Sequence, residues 1–262
     1  MNDEYISVEA AMNILKKSKS TIYRNAKAGV YPYATVNGTM VFPREAIETL
    51  AEVTGIAARE EHWTFTKSTN ADIWERCQNS RRIYGEDDYV TYKRALEWLK
   101  ISPDTMMSTK DGKTLFGGTT ILPVDEDVIW SVSRDEIRED HIPNSAIKKW
   151  TDPGLSVYIL TIATIKSGNA VLDAERGMFL IKNTIRWAIS LQMQHDIKNW
   201  YGMGVTPKGQ ALLEALGFKL VLSVQDGARK TYRLDNLMQG SHMLKTFLGK
   251  VDKREVHLDE EK

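Results

Sequence analysis

Tyr201-Gly-Met-Gly-Val-Thr206-Pro-Lys-Gly-Gln-Ala-Leu-Leu-Glu-Ala-Leu-Gly217-Phe218 is the stretch from which most of the architecture can be worked out. A strand over residues 199–205 runs into a helix that starts at Thr206-Pro207, since proline is tolerated in a first helical turn. Gly217-Phe218 ends that helix, and Lys219 to Val224 reads as the next strand. Moving towards the N-terminus, Arg176 to Gln194 is a long amphipathic helix with Phe179, Leu180, Ile185, Ala188 and Leu191 at core spacing. Lys166 to Glu175 reads as a loop. Before it stands Leu155-Ser-Val-Tyr-Ile-Leu-Thr-Ile-Ala-Thr-Ile165, the most β-forming run in the chain and the expected central strand.

The same reading extends outward. Trp63 to Lys67 alternates apolar and polar residues as a strand does. Thr69 or Asn70 can cap a helix over residues 71–84, with Ile73, Trp74 and Cys77 inward, and a second helix spans about 89–100. Strands are expected over 105–108 and 115–123, where the pair Gly117-Gly118 marks a bulge or a close backbone approach. Acidic residues crowd 125–140 around a short helix, 127–132. Residues 231–234 form the last strand, followed by a helix to about Leu248 and a charged tail. The expected class is α/β (α+β), a mixed sheet flanked by helices.

This order resembles the GNAT N-acetyltransferase fold, on the strength of the strand–loop–long helix unit and the Leu216-Gly217-Phe218 ending. The resemblance implies that Phe218 packs back on the sheet. It also implies an acyl-CoA, acetyl-CoA being the possible cofactor, along Ile162, Ala163 and Thr164 and at Arg176 and Gly177. The family holds pyrophosphate with a Gln/Arg-x-x-Gly-x-Gly/Ala loop whose free amides and helix dipole meet the phosphates. Here Ala174 and Phe179 replace the first and last of those positions, Glu175 adds a negative charge, and Leu213 stands where a tyrosine acid is common. No carboxylate lies on Val157 to Ile165, and Glu126, Asp127 and Glu139 read as solvated. The catalytic residues are therefore left unassigned, and the domain is expected to oligomerise or sense a small-molecule effector rather than catalyse.

A second motif lies at the other end of the chain. Ser7 and Ser18 each precede a short helical pattern, with Ala10, Ala11, Ile14 and Leu15 on one face of the first and Ile22 and Ala26 on one face of the second. The outer face of the second carries Lys19, Ser20, Thr21, Tyr23, Arg24 and Lys27; Lys16, Lys17 and Ser18 stand just before it, and no acid lies between Lys16 and Lys27. Residues 33–42 form two strands around Asn37-Gly38, a strong hairpin signal, and Pro43 opens a helix at Arg44. This resembles the winged helix-turn-helix of excisionase and MerR-type DNA-binding families. The resemblance implies that the basic face, with Asn37, Thr39 and Arg44, meets double-stranded DNA.

Composition sets limits. The 262 residues are 42% hydrophobic and 27% charged, enough for a real core. With 35 Lys+Arg against 35 Asp+Glu there is no global basic field, so nucleic-acid contact must be local. The single Cys77 excludes an internal disulfide framework and fits a reducing, cytoplasmic setting, nucleoid-associated when DNA is bound. No run approaches a membrane span, no signal-peptide pattern opens the chain, and the scattered histidines suggest no metal site. The expected division is a winged helix-turn-helix at 1–55, a linker or continued helix over 54–61, a GNAT-like domain at 62–240 and a helix and tail at 241–262. Trp187, Trp200 and Tyr201 read as core or interface residues before a base-stacking set. The leading expectation is a sequence-specific DNA-binding regulator, a homodimer on its site, with a non-catalytic second domain. The alternative is an acetyl-CoA-dependent N-acetyltransferase targeted to DNA or a DNA-bound substrate. An excisionase-type factor that bends DNA is a third.

Overall fold

The computed structural model describes residues 4–54, 63–85, 89–241 and 244. Contacts divide the chain into two compact units, Met1–Thr64 with Asp111–Lys113, and Phe65–Lys110 with Thr114–Lys262. The expected linker beyond Thr54 and nearly all of the expected tail lie outside the described residues.

The small unit contains β1 (Tyr5–Ile6), α1 (Val8–Leu15), α2 (Lys19–Lys27), β2 (Ala34–Val36), β3 (Thr39–Pro43) and α3 (Arg44–Thr54). Ser7 Oγ accepts from the Ala10 N–H at 3.2 Å and Ser18 Oγ from the Thr21 N–H at 3.4 Å, so both helices start on a serine cap. Asn37 and Gly38, at φ 50° and 77°, supply the left-handed turn between β2 and β3. The hairpin gains a third strand that its residues did not announce. Tyr5 and Ile6 pair with Pro43 and Phe42, giving the order β1-β3-β2. The helices and the sheet close on Ala11, Leu15, Ile22, Ala26, Tyr31, Phe42 and Ile47.

The large unit is built on a sheet of order β4-β5-β6-β7-β8-β10-β9. Its strands are β4 (Trp63–Lys67), β5 (Met106–Asp111), β6 (Thr114–Pro123), β7 (Leu155–Thr164), β8 (Ile197–Gly204), β9 (Lys219–Val224) and β10 (Arg229–Leu234). Central β7 and β8 run parallel, while the pairs β6–β7, β8–β10 and β10–β9 are antiparallel. Helices α4 (Asn70–Tyr84), α5 (Tyr92–Ile101) and α6 (Glu126–Ser133) bury one face, and α7 (Ala170–Gln194) and α8 (Pro207–Ala215) the other. The period of two sorts neighbours to opposite faces. Ile121, Val157 and Trp200 point to α7 and α8, whereas Leu122, Tyr158 and Tyr201 point to α4–α6. Trp200 and Tyr201 are thus core, and Trp187 is partly buried against the α7 side.

One boundary is corrected. α7 begins at Ala170, not Arg176, because Asn169 caps it. Its Oδ1 accepts from the Val171 and Leu172 N–H groups at 3.0 and 3.1 Å. Ala170-Val-Leu-Asp-Ala-Glu-Arg176 is rich in helix formers, and the capped start takes it into the helix. No described helix is long and apolar enough to cross a membrane.

Candidate active site

The parallel pair at the centre of the large unit does not stay together. β7 and β8 pair from Leu155↔Ile197 to Ile159↔Gly202, and then pairing stops. β7 continues to Thr164 on β6 alone. Its first four residues are buried and its last six half-buried, so the change in exposure falls where the strands part. In a strand, backbone groups of alternate residues point to alternate sides. Half of the N–H and C=O groups of residues 160–164 therefore face an opening rather than a partner strand. A bulge sits at the same place. Thr120 pairs with Thr161 but Ile121 with Ile159, which leaves Leu160 as the extra residue and bends β7 away from β8.

Gly202 and Leu213 pack together at the fork. A Cβ on Gly202 would lie 2.8 Å from Leu213 Cδ2, so the glycine makes room for the α8 side chain. Leu213 is 7% exposed. The position compared with a tyrosine acid is thus a packing position here. Beyond the fork, Ile162, Ala163 and Thr164 line the open half of β7, each half-buried.

Arg176 and Gly177 fall elsewhere than expected. Both are in the second turn of α7, not in a phosphate-binding turn. Gly177 faces open space, and the Arg176 guanidinium lies 4.9 Å from the centre of the Phe116 ring. The turn that does join β7 to α7 is Ile165 to Asn169. Gly168 has φ 86°, and Asp173 accepts from the Ser167 N–H and Oγ, both at 2.7 Å. Burial pushes the Asp173 carboxyl up, but these two hydrogen bonds together with the Arg176 and Lys166 charges leave it below its ordinary value.

The sequence reads the acidic residues after β6 as solvated, and two of them are half-buried and held by hydrogen bonds. Tyr201 donates to Glu126 Oε1 at 2.5 Å, and Ser156 and Asn199 donate to Glu126 Oε2 at 3.2 and 3.4 Å. Arg233 bonds the Asn199 side-chain oxygen at 2.9 Å and stands 3.9 Å from Glu126. Tyr158, beside Tyr201 on the same face, donates to Glu139 at 2.7 Å. Burial alone would raise Glu126, yet the bonds from Tyr201 and Ser156 and the Arg233 charge together hold it below the usual carboxylate range. Burial and then the Glu126 bond push Tyr201 upward, so it stays a protonated donor. Only the fold brings Glu126 to residues on β7, β8 and β10; no spacing in the sequence signals it.

On the small unit, Lys16, Ser18, Lys19, Ser20, Arg24, Lys27, Asn37, Thr39 and Arg44 are exposed, and Lys17, Thr21 and Tyr23 half-buried. Lys19 stands 3.5 Å from Glu9, and Arg44 pairs with Glu48 at 3.2 Å. Among the described residues no group of His, Cys, Asp and Glu is arranged to hold a metal ion.

The large unit, a mixed sheet with helices on both faces, is GNAT-like. Solved structures similar to this chain include Ard1 from Thermoplasma volcanium, 13% identical over 66% of this chain and 97% of that one, with a TM-score of 0.42. Arabidopsis thaliana NAA60 in complex with acetyl-CoA is 14% identical over 66% and 99%, at 0.41. A GNAT-family acetyltransferase from Streptococcus agalactiae 2603 is 17% identical over 66% and 95%, at 0.40. At such identities and scores the chemistry has to be argued from the site itself. No family model and no curated protein sequence matches the chain. The expectation of a DNA-binding regulator with an idle second domain is corrected here. The structures named above are described as an acetyl-CoA complex and a GNAT-family acetyltransferase, not as DNA-binding regulators.

Proposed function

We propose that the large unit is an acyl-CoA-dependent N-acyltransferase, with acetyl-CoA as the first donor to test. The observation that carries this is the parting of β7 and β8 after Ile159 and Gly202, with the bulge at Leu160. A pantetheine arm is a chain of amides. It can add to the free side of residues 160–164 as a strand adds to a sheet edge. The Ile165–Asn169 turn and the start of α7 then stand where a pyrophosphate meets free amides and a helix N-terminus. A backbone N–H on the open edge can hold the thioester oxygen as the amine attacks, in the manner of an oxyanion hole. The C–N bond forms, the C–S bond breaks, and the amine proton passes to solvent. A thiol with a pKa of about 8.5 leaves near neutral pH as thiolate without help from an acid. Leu213 in place of tyrosine is therefore compatible with turnover.

In this reading the small unit is a winged helix-turn-helix that targets the transferase to DNA or to a substrate on DNA. Arg24 and Lys27 on α2 and Asn37 at the hairpin tip are its proposed contacts. Calorimetry of the full chain with acetyl-CoA tests the main claim. Binding in the micromolar range, followed by release of free thiol with an amine acceptor, is expected; no heat at millimolar acetyl-CoA sinks it.

A further inference from the structure

Gly117-Gly118 stood out in the sequence, and the acyl-transfer reading does not use it. The structure shows what Gly118 accommodates. A Cβ there would lie 2.7 Å from Arg76 Nε, 2.8 Å from Arg76 Cζ and 2.6 Å from the Met107 carbonyl oxygen. Arg76, on α4, thus lays its guanidinium against the sheet where any side chain on Gly118 would exclude it. Nη1 donates to the Met107 oxygen at 3.2 Å and to Ser68 Oγ at 3.3 Å, and Nη2 donates to Thr120 Oγ1 at 2.8 Å. All three acceptors are neutral. Nε and the second Nη2 hydrogen have no acceptor among the described residues, although arginine has five N–H donors to place.

A cation pressed into a protein is normally met by a carboxylate, because desolvating it alone is costly. The nearest candidate is Asp72, one turn earlier on α4. Its Oδ2 is engaged by Lys110 Nζ at 2.8 Å and by the Thr69 N–H at 2.8 Å. Burial accordingly pushes Arg76 down to about 10, with Cys77 and Asp72 opposing only in part. The residue remains half-buried, not sealed.

Its position links it to the fork. Gly118 and Thr120 are the β6 partners of Ala163 and Thr161, the β7 residues that have lost β8. One strand spacing is about 4.8 Å, so the guanidinium lies beside the open half of β7, over a floor of small side chains.

We propose that Arg76 is the recognition group for a carboxylate on one of the two substrates, with Thr120 and Ser68 holding the guanidinium in place. The carboxylate belongs either to the amine acceptor, as in an amino acid, or to the acyl chain, as in a dicarboxylic acyl-CoA. The assignment rests on the acyl-transfer reading of the same cleft. Arg76 supplies a paired, charge-assisted contact that a neutral substrate forfeits.

The experiment has two arms on the full chain. In the first, acetyl transfer to an α-amino acid is compared with transfer to its amide. In the second, succinyl-CoA is compared with acetyl-CoA at one neutral amine. The expected result is that one arm favours the carboxylate by at least about tenfold in kcat/KM, mostly through KM. Arg76→Gln removes the preference while turnover of the neutral partner stays within about threefold, and Arg76→Lys retains part of it. No preference in either arm, or a preference that survives in Arg76→Gln, overturns the proposal and leaves Arg76 as a strut between α4 and the sheet. A binding measurement separates this from failure of the acyl-transfer reading. If acetyl-CoA does not bind, that reading falls by itself. Succinate should still raise the melting temperature of wild type, but not of Arg76→Gln, above sodium chloride of equal ionic strength; equal shifts overturn the carboxylate site.

Discussion

Leu213 occupies the space that a side chain on Gly202 would need, with Cδ2 at 2.8 Å from the missing Cβ. The contact ties α8 to the last residue of β8 that pairs with β7. Gly202→Ala should therefore overpack the fork and cost about 1–3 kcal/mol, read as a lower urea midpoint at unchanged slope. It should also weaken acetyl-CoA binding, since the added methyl displaces α8 at the mouth of the cleft. Full stability in this variant would mean that the helix yields freely and that the fork is not set by this pair.

Leu213→Tyr should not create a catalytic acid. The position is buried against Gly202, and a phenol there needs both room and a partner. A melting temperature lowered by several degrees, with no gain in turnover, is expected. Faster acyl transfer with unchanged stability would count against the placement of Leu213 in the core.

Tyr201 donates to Glu126 at 2.5 Å, a shorter hydrogen bond to this carboxylate than those of Ser156 and Asn199. Tyr201→Phe leaves the carboxylate without its shortest donor and should cost about 1.5–3 kcal/mol. The Glu126 carboxyl is depressed in the folded chain. Its contribution is therefore complete above the unfolded value of about 4.3 and fades as pH falls through the folded value. The stability gap between wild type and Glu126→Gln should be constant near neutrality and close in acid. A double-mutant cycle by chemical denaturation at pH 7 and pH 3 reads this directly, and a gap that widens in acid would reverse the assigned sign.

Asp173 sits in the first turn of α7 and ties down the Ser167 amide and hydroxyl. A carboxylate there opposes a pyrophosphate at the same turn. Asp173→Asn should tighten CoA binding about two- to fivefold, the scale of one charge near a helix N-terminus, and leave pantetheine binding unchanged. Equal changes for both ligands would move the phosphates away from this turn.

For the small unit, Arg24→Ala should reduce binding to a preferred duplex more than to a scrambled one, by about 1–3 kcal/mol of discrimination. Lys27→Ala should weaken both alike and lower the salt slope by about one unit. Fluorescence anisotropy at several salt concentrations measures both. Unchanged binding by the two variants on either duplex would remove α2 as a DNA-contacting helix.

How much of this was legible beforehand depends on the range of the interaction responsible. The strand at Trp63–Lys67, the strand at 219–224 and the Gly217 helix end follow from periodicity and chain stiffness within a few residues, and these local terms act before any packing. The serine caps at Ser7 and Ser18 and the Asn37-Gly38 turn are of the same kind. The start of α7 is decided by a single asparagine cap, Asn169, which in sequence looks the same as an asparagine in a loop. Gly118 announced a close approach, but its partner, Arg76, is 42 residues away in sequence and only the docking of α4 on β6 identifies it. The parting of β7 and β8 leaves no trace in β7, which remains a good β former past Ile159. Glu126 looked like any acid in a polar run until α6 carried it over Ser156, Asn199 and Tyr201. Sequence alone therefore determined most of the elements and their order, β1 and the start of α7 excepted, because those depend on neighbours along the chain. Tertiary structure alone decided where the cleft opens, which carboxylate is held and which arginine is left facing neutral acceptors, because each depends on groups that meet only when distant segments pack.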